Sequence, residues 1–223
     1  MGEKHCQGCE MRQKGLVLPG YACRSQIWDS IRVQLDASYD VTWVDWPHEL
    51  TAGFHSVTAF ADWLYSICKQ TSYDFVIGHS MGGLVALELA QREKSYLQKI
   101  VLVVTYLLPP KPFFQNLFLN SAQVEDSQLI IEMLGQEKEH YSPKLQESLR
   151  QVDPQSLVVG LGKKFHILYG GRGCGDTDQV MRELAWPQEI QQWVDVKLIS
   201  NACHFPMIEN SEMTTQLLQD ILE

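Results

Sequence analysis

Short apolar runs alternate with longer stretches of helical period along most of the chain. Gly15–Gly20 (GLVLPG) reads as a buried strand closed by a Pro-Gly turn, and Ile27, Ile31, Val33 and Leu35 suggest a helix after it. Tyr39–Trp46 is rich in β-branched and aromatic residues and stops at Pro47, as a second strand would. Val57, Phe60, Trp63, Leu64, Ile67 and Cys68 recur at spacings of three and four, which predicts an amphipathic helix. Tyr73–Ile77 is a third strand, Met81–Arg92 a helix, Lys99–Tyr106 a fourth strand, Phe165–Tyr169 a fifth and Val194–Ser200 a sixth. A last helix is predicted over Glu212–Leu222. Strands that alternate with helices imply a parallel sheet, because a parallel pair needs a crossover. Strands buried on both faces read as continuous apolar runs, as these do.

One stretch breaks the rhythm. Roughly fifty residues, Leu107 to Leu157, separate strands four and five, too many for a plain loop. Phe113, Phe114, Leu117 and Phe118 fall on one helical face, Leu129, Ile130, Met133 and Leu134 repeat the spacing, and Tyr141, Leu145 and Leu149 follow it more loosely. Two readings are open: helices packed on the core, or an apolar cap over a pocket. The second depends on the site falling beneath it.

Composition narrows the class. With 223 residues, 45% hydrophobic and 20% charged, the chain suits one globular domain and neither a disordered nor a collagen-like one. The net charge of −9, with no basic block, disfavours nucleic acid and anionic membrane surfaces as partners. Six cysteines are too sparse for a disulfide scaffold. Cys6 and Cys9 form a CxxC in a polar tail with no second pair, so they read as tail thiols. Residues 1–14 hold no apolar signal core, and the expected setting is the reducing cytoplasm. No cofactor, metal or membrane insertion is expected; monomer and dimer stay open.

The informative hexapeptide is Gly78-His79-Ser80-Met81-Gly82-Gly83, which contains G-x-S-x-G. Such a serine sits on a sharp strand-to-helix turn, and here a predicted strand precedes it and a predicted helix follows. A serine is a weak nucleophile without a base. Of the histidines, His204 follows the last strand, at the sheet end where reactive groups gather. His79 reads as packing, His166 lies at the wrong end of its strand, His48 and His55 could line the pocket, and His5 and His140 read as surface. The acid that orients the base is expected in the Gly-rich loop after strand five. Asp176 is the first candidate there, and Asp178 the second, because its position also suits the cap of a helix near Gln179. Two backbone donors for an oxyanion are expected at Met81 and Tyr21. Phe113, Phe114, Phe118 and Met133 are the expected substrate contacts.

These blocks together resemble the α/β-hydrolase superfamily over nearly the whole chain. GLVLPGYACRSQIWDSI resembles its oxyanion loop, DVTWVDWP its next strand, GHSMGG its nucleophile elbow, FHILYGGRGCGD its acid loop and NACHFPMIEN its histidine block. Within it the chain resembles the small serine esterases, the pimeloyl-carrier methyl esterase and MenH-like group. The resemblance implies six parallel strands in the order 2-1-3-4-5-6, helices on both faces, a helical cap over about 107–157, and Ser-His-Asp chemistry. It departs in three places: Pro19-Gly20 replaces the usual His-Gly, Gly173 stands where an Asp commonly follows the Arg-like position, and the two N-terminal antiparallel strands of larger members have no counterpart. The expected function is hydrolysis of a carboxylic ester with a small or medium apolar acyl group, through an acyl-enzyme. Thioester or acyl-carrier ester cleavage, MenH-like elimination, C–C hydrolysis and a non-catalytic binding role are the alternatives. A carrier partner would need a basic cluster such as Lys111, Lys138, Lys144 and Arg150.

Overall fold

A computed structural model describes residues 12–92, 97–108, 127–172 and 176–223. Its sheet has six strands, all parallel, in the order β2-β1-β3-β4-β5-β6. They are β1 Lys14–Leu18, β2 Asp40–Trp43, β3 Phe75–His79, β4 Lys99–Val103, β5 Phe165–Gly170 and β6 Val194–Ile199. The expected architecture is therefore the observed one. β3 and β4, central and almost wholly buried, are the continuous apolar runs, whereas the edge strands β2 and β6 are half-exposed. Asp40 and Thr42 in β2 and Asp195 and Lys197 in β6 put polar side chains on those edges.

The helices are α1 Asp29–Ser38, α2 His48–Thr51, α3 Val57–Cys68, α4 Met81–Arg92, α5 Ser127–Lys138, α6 Pro143–Gln151, α7 Pro154–Leu161, α8 Thr177–Leu184, α9 Gln188–Gln191, α10 Pro206–Glu209 and α11 Ser211–Leu222. A 3₁₀ turn, Ser25–Trp28, leads into α1. α2 and α9 span four residues each, too few to show a period in sequence. α3 starts where the Ser56 hydroxyl accepts the Ala59 N–H, and α7 where the Asp153 carboxylate accepts the N–H groups of Gln155 and Ser156. Val33 and Ile67, counted among the apolar faces from spacing alone, are exposed. No helix among the described residues is long and apolar enough to cross a membrane.

Strand order positions the site. The chain leaves β1 toward β2 on one side and returns to β3 on the other, with Leu18 opposite Gly78. The C-terminal ends of β1 and β3 therefore meet at the switch point of the sheet, where open α/β folds hold ligands. β4 stops at Val103 rather than running to Tyr106, because Val104 turns into the left-handed region at φ 48°. Among the described residues, α5, α6 and α7 lie between β4 and β5. α7 docks on α4 through Gln91, whose Nε2 donates to the Leu157 carbonyl at 2.8 Å.

Candidate active site

Ser80 lies between β3 and α4 with φ 52°. A non-glycine residue in this region is uncommon and carries strain of order 1 kcal/mol. The surroundings hold it there. Its N–H donates to the Val103 carbonyl at 2.9 Å, and its carbonyl accepts from the Thr105 hydroxyl at 3.0 Å. Two glycines let the β1 turn close on this elbow. A Cβ on Gly82 would stand 2.5 Å from the Pro19 carbonyl oxygen, and one on Gly20 would stand 2.9 Å from His79 Nδ1 and 3.2 Å from Ser80 Cβ. Trp46 Nε1 donates to the Pro19 carbonyl at 3.2 Å and fixes the turn from the other side.

Met81, the first residue of α4, presents an N–H that has no intrahelical acceptor. No hydrogen bond among the described residues uses the Tyr21 N–H. Both residues line a cavity of about 290 Å³ beside Ser80, with Leu84, Tyr106, Leu108, Leu149, Val152 and Pro154. A second cavity, of about 710 Å³, joins Ser80 to His204, Tyr21, Phe205, Leu134, Lys138, Gln146, Leu149 and Arg150. Ser80 and His204 thus share one cavity, with α5 and α6 forming its far wall.

His204 is buried at 3% exposure. Two side chains hold its backbone and that of its neighbours. His79 Nε2 donates to its carbonyl at 2.8 Å, and Glu209 Oε2 accepts from the N–H of Cys203 at 2.8 Å and of Phe205 at 3.0 Å. The Glu209 side chain is 1% exposed and faces Arg172, whose Nη2 stands 3.5 Å from Oε1 and donates to the Asn201 carbonyl at 2.7 Å. A buried carboxylate therefore spans the residues on both sides of the histidine. Sequence reasoning missed Glu209 and Arg172. They lie on α10 and after β5, and only the fold brings them together.

Burial, reinforced by His79, holds the His204 imidazole well below its ordinary pKa, so it is neutral near pH 7. Burial lowers His79 to about 4, even though the bond to the His204 carbonyl pulls upward. A neutral His204 is the form able to accept a proton. The acid limb of kcat/KM should consequently fall below pH 6.5, the unperturbed histidine value, because the protonated form is the disfavoured one. A limb at or above 6.5 in a pH–rate profile would contradict this.

The acid candidates are placed differently from each other. Asp176 is exposed and caps α8, its Oδ1 accepting the Gln179 N–H at 2.7 Å. The capping position expected for Asp178 is therefore filled by Asp176, and Asp178 lies exposed in the first turn. No hydrogen bond among the described residues joins Asp176 to His204. The start of its loop does run beside the histidine segment: the N–H of Gly171 donates to Ile199 and that of Arg172 to Ala202.

Among the other candidates, His48 Nε2 lies 2.6 Å from Glu137 and His55 Nδ1 lies 2.7 Å from Ser142, so both tie the core to the α5–α6 segment. His140, read as surface, stacks on His48 at 3.8 Å. His166 pairs with Asp195 at the sheet edge. Met133 is buried at 6% in the core, and its neighbour Leu134 lines the larger cavity. Phe113, Phe114, Phe118, Lys111, Cys6 and Cys9 lie outside the described residues. No group of three or more His, Cys, Asp or Glu among the described residues has the geometry to hold a metal ion.

Comparisons with known proteins bear on the family and the fold. A pimeloyl-[acyl-carrier protein] methyl ester esterase of Pseudoalteromonas atlantica is 22% identical, over 93% of this chain and 92% of its own. The naproxen esterase of Bacillus subtilis superposes with a TM-score of 0.63 at 14% identity, covering 97% of this chain and 85% of that one. A thermophilic esterase from Thermogutta terrifontis gives 0.63 at 17% identity, covering 95% and 90%. Likeness at that identity speaks to fold alone. The family model described as the alpha/beta hydrolase fold matches residues 16–134, over half of the 223, and with the sheet order and the strained serine turn already seen, the chain belongs to the α/β-hydrolase family.

Proposed function

We propose that the protein is a serine hydrolase that cleaves a carboxylic ester through an acyl-enzyme. The single observation that carries this reading is the strained Ser80 sharing one cavity with a buried His204. In this mechanism His204 removes the Ser80 hydroxyl proton as Oγ attacks the ester carbonyl. The negative oxygen that forms is met by the N–H groups of Met81 and Tyr21. His204 then gives its proton to the departing alkoxide, which leaves as the alcohol. Water, deprotonated by His204, releases the acid and restores Ser80. The smaller, largely apolar cavity suits a small or medium apolar group. The chain acts as a single domain in which α5 and α6, within the insertion of about 107–157, serve as the cap.

Asp176 is the acid of this scheme, with Asp178 the alternative. To orient His204, its carboxylate must leave the Gln179 N–H that it caps. Asparagine caps a helix about as well as aspartate, so Asp176→Asn removes the acid while keeping the cap. The test is the rate of covalent labelling of Ser80 by a fluorophosphonate, with hydrolysis of p-nitrophenyl esters from acetate to decanoate beside it. Wild type should label; His204→Ala should label at least about 100-fold more slowly, having lost the base. Asp176→Asn should label much more slowly than wild type, and Asp178→Asn close to it. A His204→Ala protein that labels like wild type would remove His204 from the scheme.

The name of the Pseudoalteromonas relative supports a narrower second reading, a methyl ester on an acyl carrier. Labelling without turnover of any p-nitrophenyl ester would favour that more selective enzyme. Absence of both would favour a binding protein.

A further inference from the structure

Two cations stand on the cap side of the cavity, each without a counter-ion among the described residues. Arg150 lies on the α6 face that also carries Gln146 and Leu149 to the cavity, at the i, i+3, i+4 spacing of one helical face. Lys138 lies on the α5 face with Leu134, four residues before it. Each helix thus offers the cavity one leucine and one cation. Some cations of this acidic chain stand near carboxylates: Arg24 near Asp45 and Glu137, Arg92 near Asp62 and Glu88, and Arg172 near Glu209. Neither Lys138 nor Arg150 forms such a pair. Glu137, next to Lys138 in sequence, is buried and turned to His48 at 2.6 Å. No described residue lining either cavity is an Asp or Glu.

In a chain of net charge −9, two cations that line a cavity containing the candidate nucleophile, with no described carboxylate beside them, are a selective feature. We infer that Lys138 and Arg150 form an anion subsite. The substrate is then a small ester that carries a carboxylate or phosphate at the end lodged in the larger cavity, while its apolar part fills the smaller one. Arg150 lines both cavities and Lys138 only the larger, so the anion belongs in the larger, where both reach it. Arginine offers a planar pair of N–H donors to two oxygens of one anion, and lysine adds a compact second charge. The cations line the cavity itself, and that favours an anionic group on a small substrate. The inference names the substrate class of the proposed hydrolase site and rests on that reading for its catalytic consequence only.

The test separates binding from turnover. Ser80→Ala protein is titrated calorimetrically with monobutyl glutarate, with its neutral methyl ester, and with butyl 4-phosphonobutanoate. The anionic probes should bind at least about tenfold more tightly than the neutral one, and the preference should shrink as salt rises from 0.05 to 0.5 M, as for charges near solvent. Between the carboxylate and phosphonate probes, the tighter one identifies the anion. Adding Lys138→Gln and Arg150→Gln should abolish the preference, bringing the anionic probes to the affinity that the same variant shows for the neutral ester. Both side chains are on exposed residues, so the substitutions leave the core intact. Equal affinity for charged and neutral probes, or a preference that survives both substitutions, would overturn the anion subsite. Wild-type kcat/KM for the same probes tests the other reading. An anion preference in binding, with neither turnover of any ester nor fluorophosphonate labelling of Ser80, would remove the hydrolase and keep the subsite, whereas turnover without preference would do the reverse.

Discussion

Replacing Ser80 should separate activity from stability in opposite directions. Ser80→Ala is expected to lower kcat for an ester substrate by about 10⁴-fold or more, since the group that forms the acyl-enzyme is gone. Ser80→Gly should be equally inactive yet more stable than wild type, by about 1 kcal/mol, because glycine occupies positive φ without the penalty Ser80 carries at 52°. Alanine has the same Cβ conflict as serine, so Ser80→Ala should unfold close to wild type. The check is a pair of measurements, urea midpoints at constant m-value and esterase rates. A Ser80→Gly protein less stable than wild type would mean that the hydroxyl, rather than the surrounding backbone bonds to Val103 and Thr105, holds the turn. Residual activity near wild type in either variant would exclude Ser80 as nucleophile.

The second large effect is expected at Glu209, which touches neither cavity. Its carboxylate accepts the N–H groups on both sides of His204 and faces Arg172. Glu209→Ala leaves two buried donors and a largely buried guanidinium without that partner. Removing one member of such a pair costs about 3 kcal/mol or more. The loss should also be catalytic: a base displaced by about 1 Å can lose roughly 100-fold in rate. Glu209→Gln is the informative companion. Its carbonyl oxygen can still accept both N–H groups, so the histidine loop keeps its shape, while the charge opposite Arg172 is lost. Glu209→Gln should therefore lose stability but retain most of kcat, and Glu209→Ala should lose both. A Glu209→Ala enzyme that is unstable yet turns over normally at low temperature would make Glu209 a fold residue with no part in placing His204. Unchanged KM alongside a lower kcat is the expected sign of a positioning role.

The two variants mark different limits of sequence reading. Ser80 was legible because its requirements are local: a strand, a sharp turn, small neighbours and a helix follow one another within a few residues. His204 was legible because strand order in a parallel sheet puts every strand's C-terminal end on one side. Glu209 left no signal, because a carboxylate five residues after a histidine has no meaning until a four-residue helix turns it back on the chain. Asp176 shows a related limit. Spacing pointed to two aspartates in one loop, but which of them caps α8 depends on where the helix starts, and it starts two residues before the expected Gln179.

The apolar pattern thus determined the six parallel strands, the family resemblance their order, and the Gly-x-Ser-x-Gly motif the elbow. Each follows from local burial and backbone conformation, which neighbouring residues set. Tertiary structure decided what depends on residues distant in the chain. It put Met133 in the core and Leu134 on the cavity wall, since one step along a helix turns a side chain by about 100°. It paired His48 with Glu137, 89 residues away, where composition offered only two polar residues. It also left Lys138 and Arg150 facing one cavity without a carboxylate among its described lining, because charge balance is a property of positions in space and a net charge of −9 says nothing of where the cations stand.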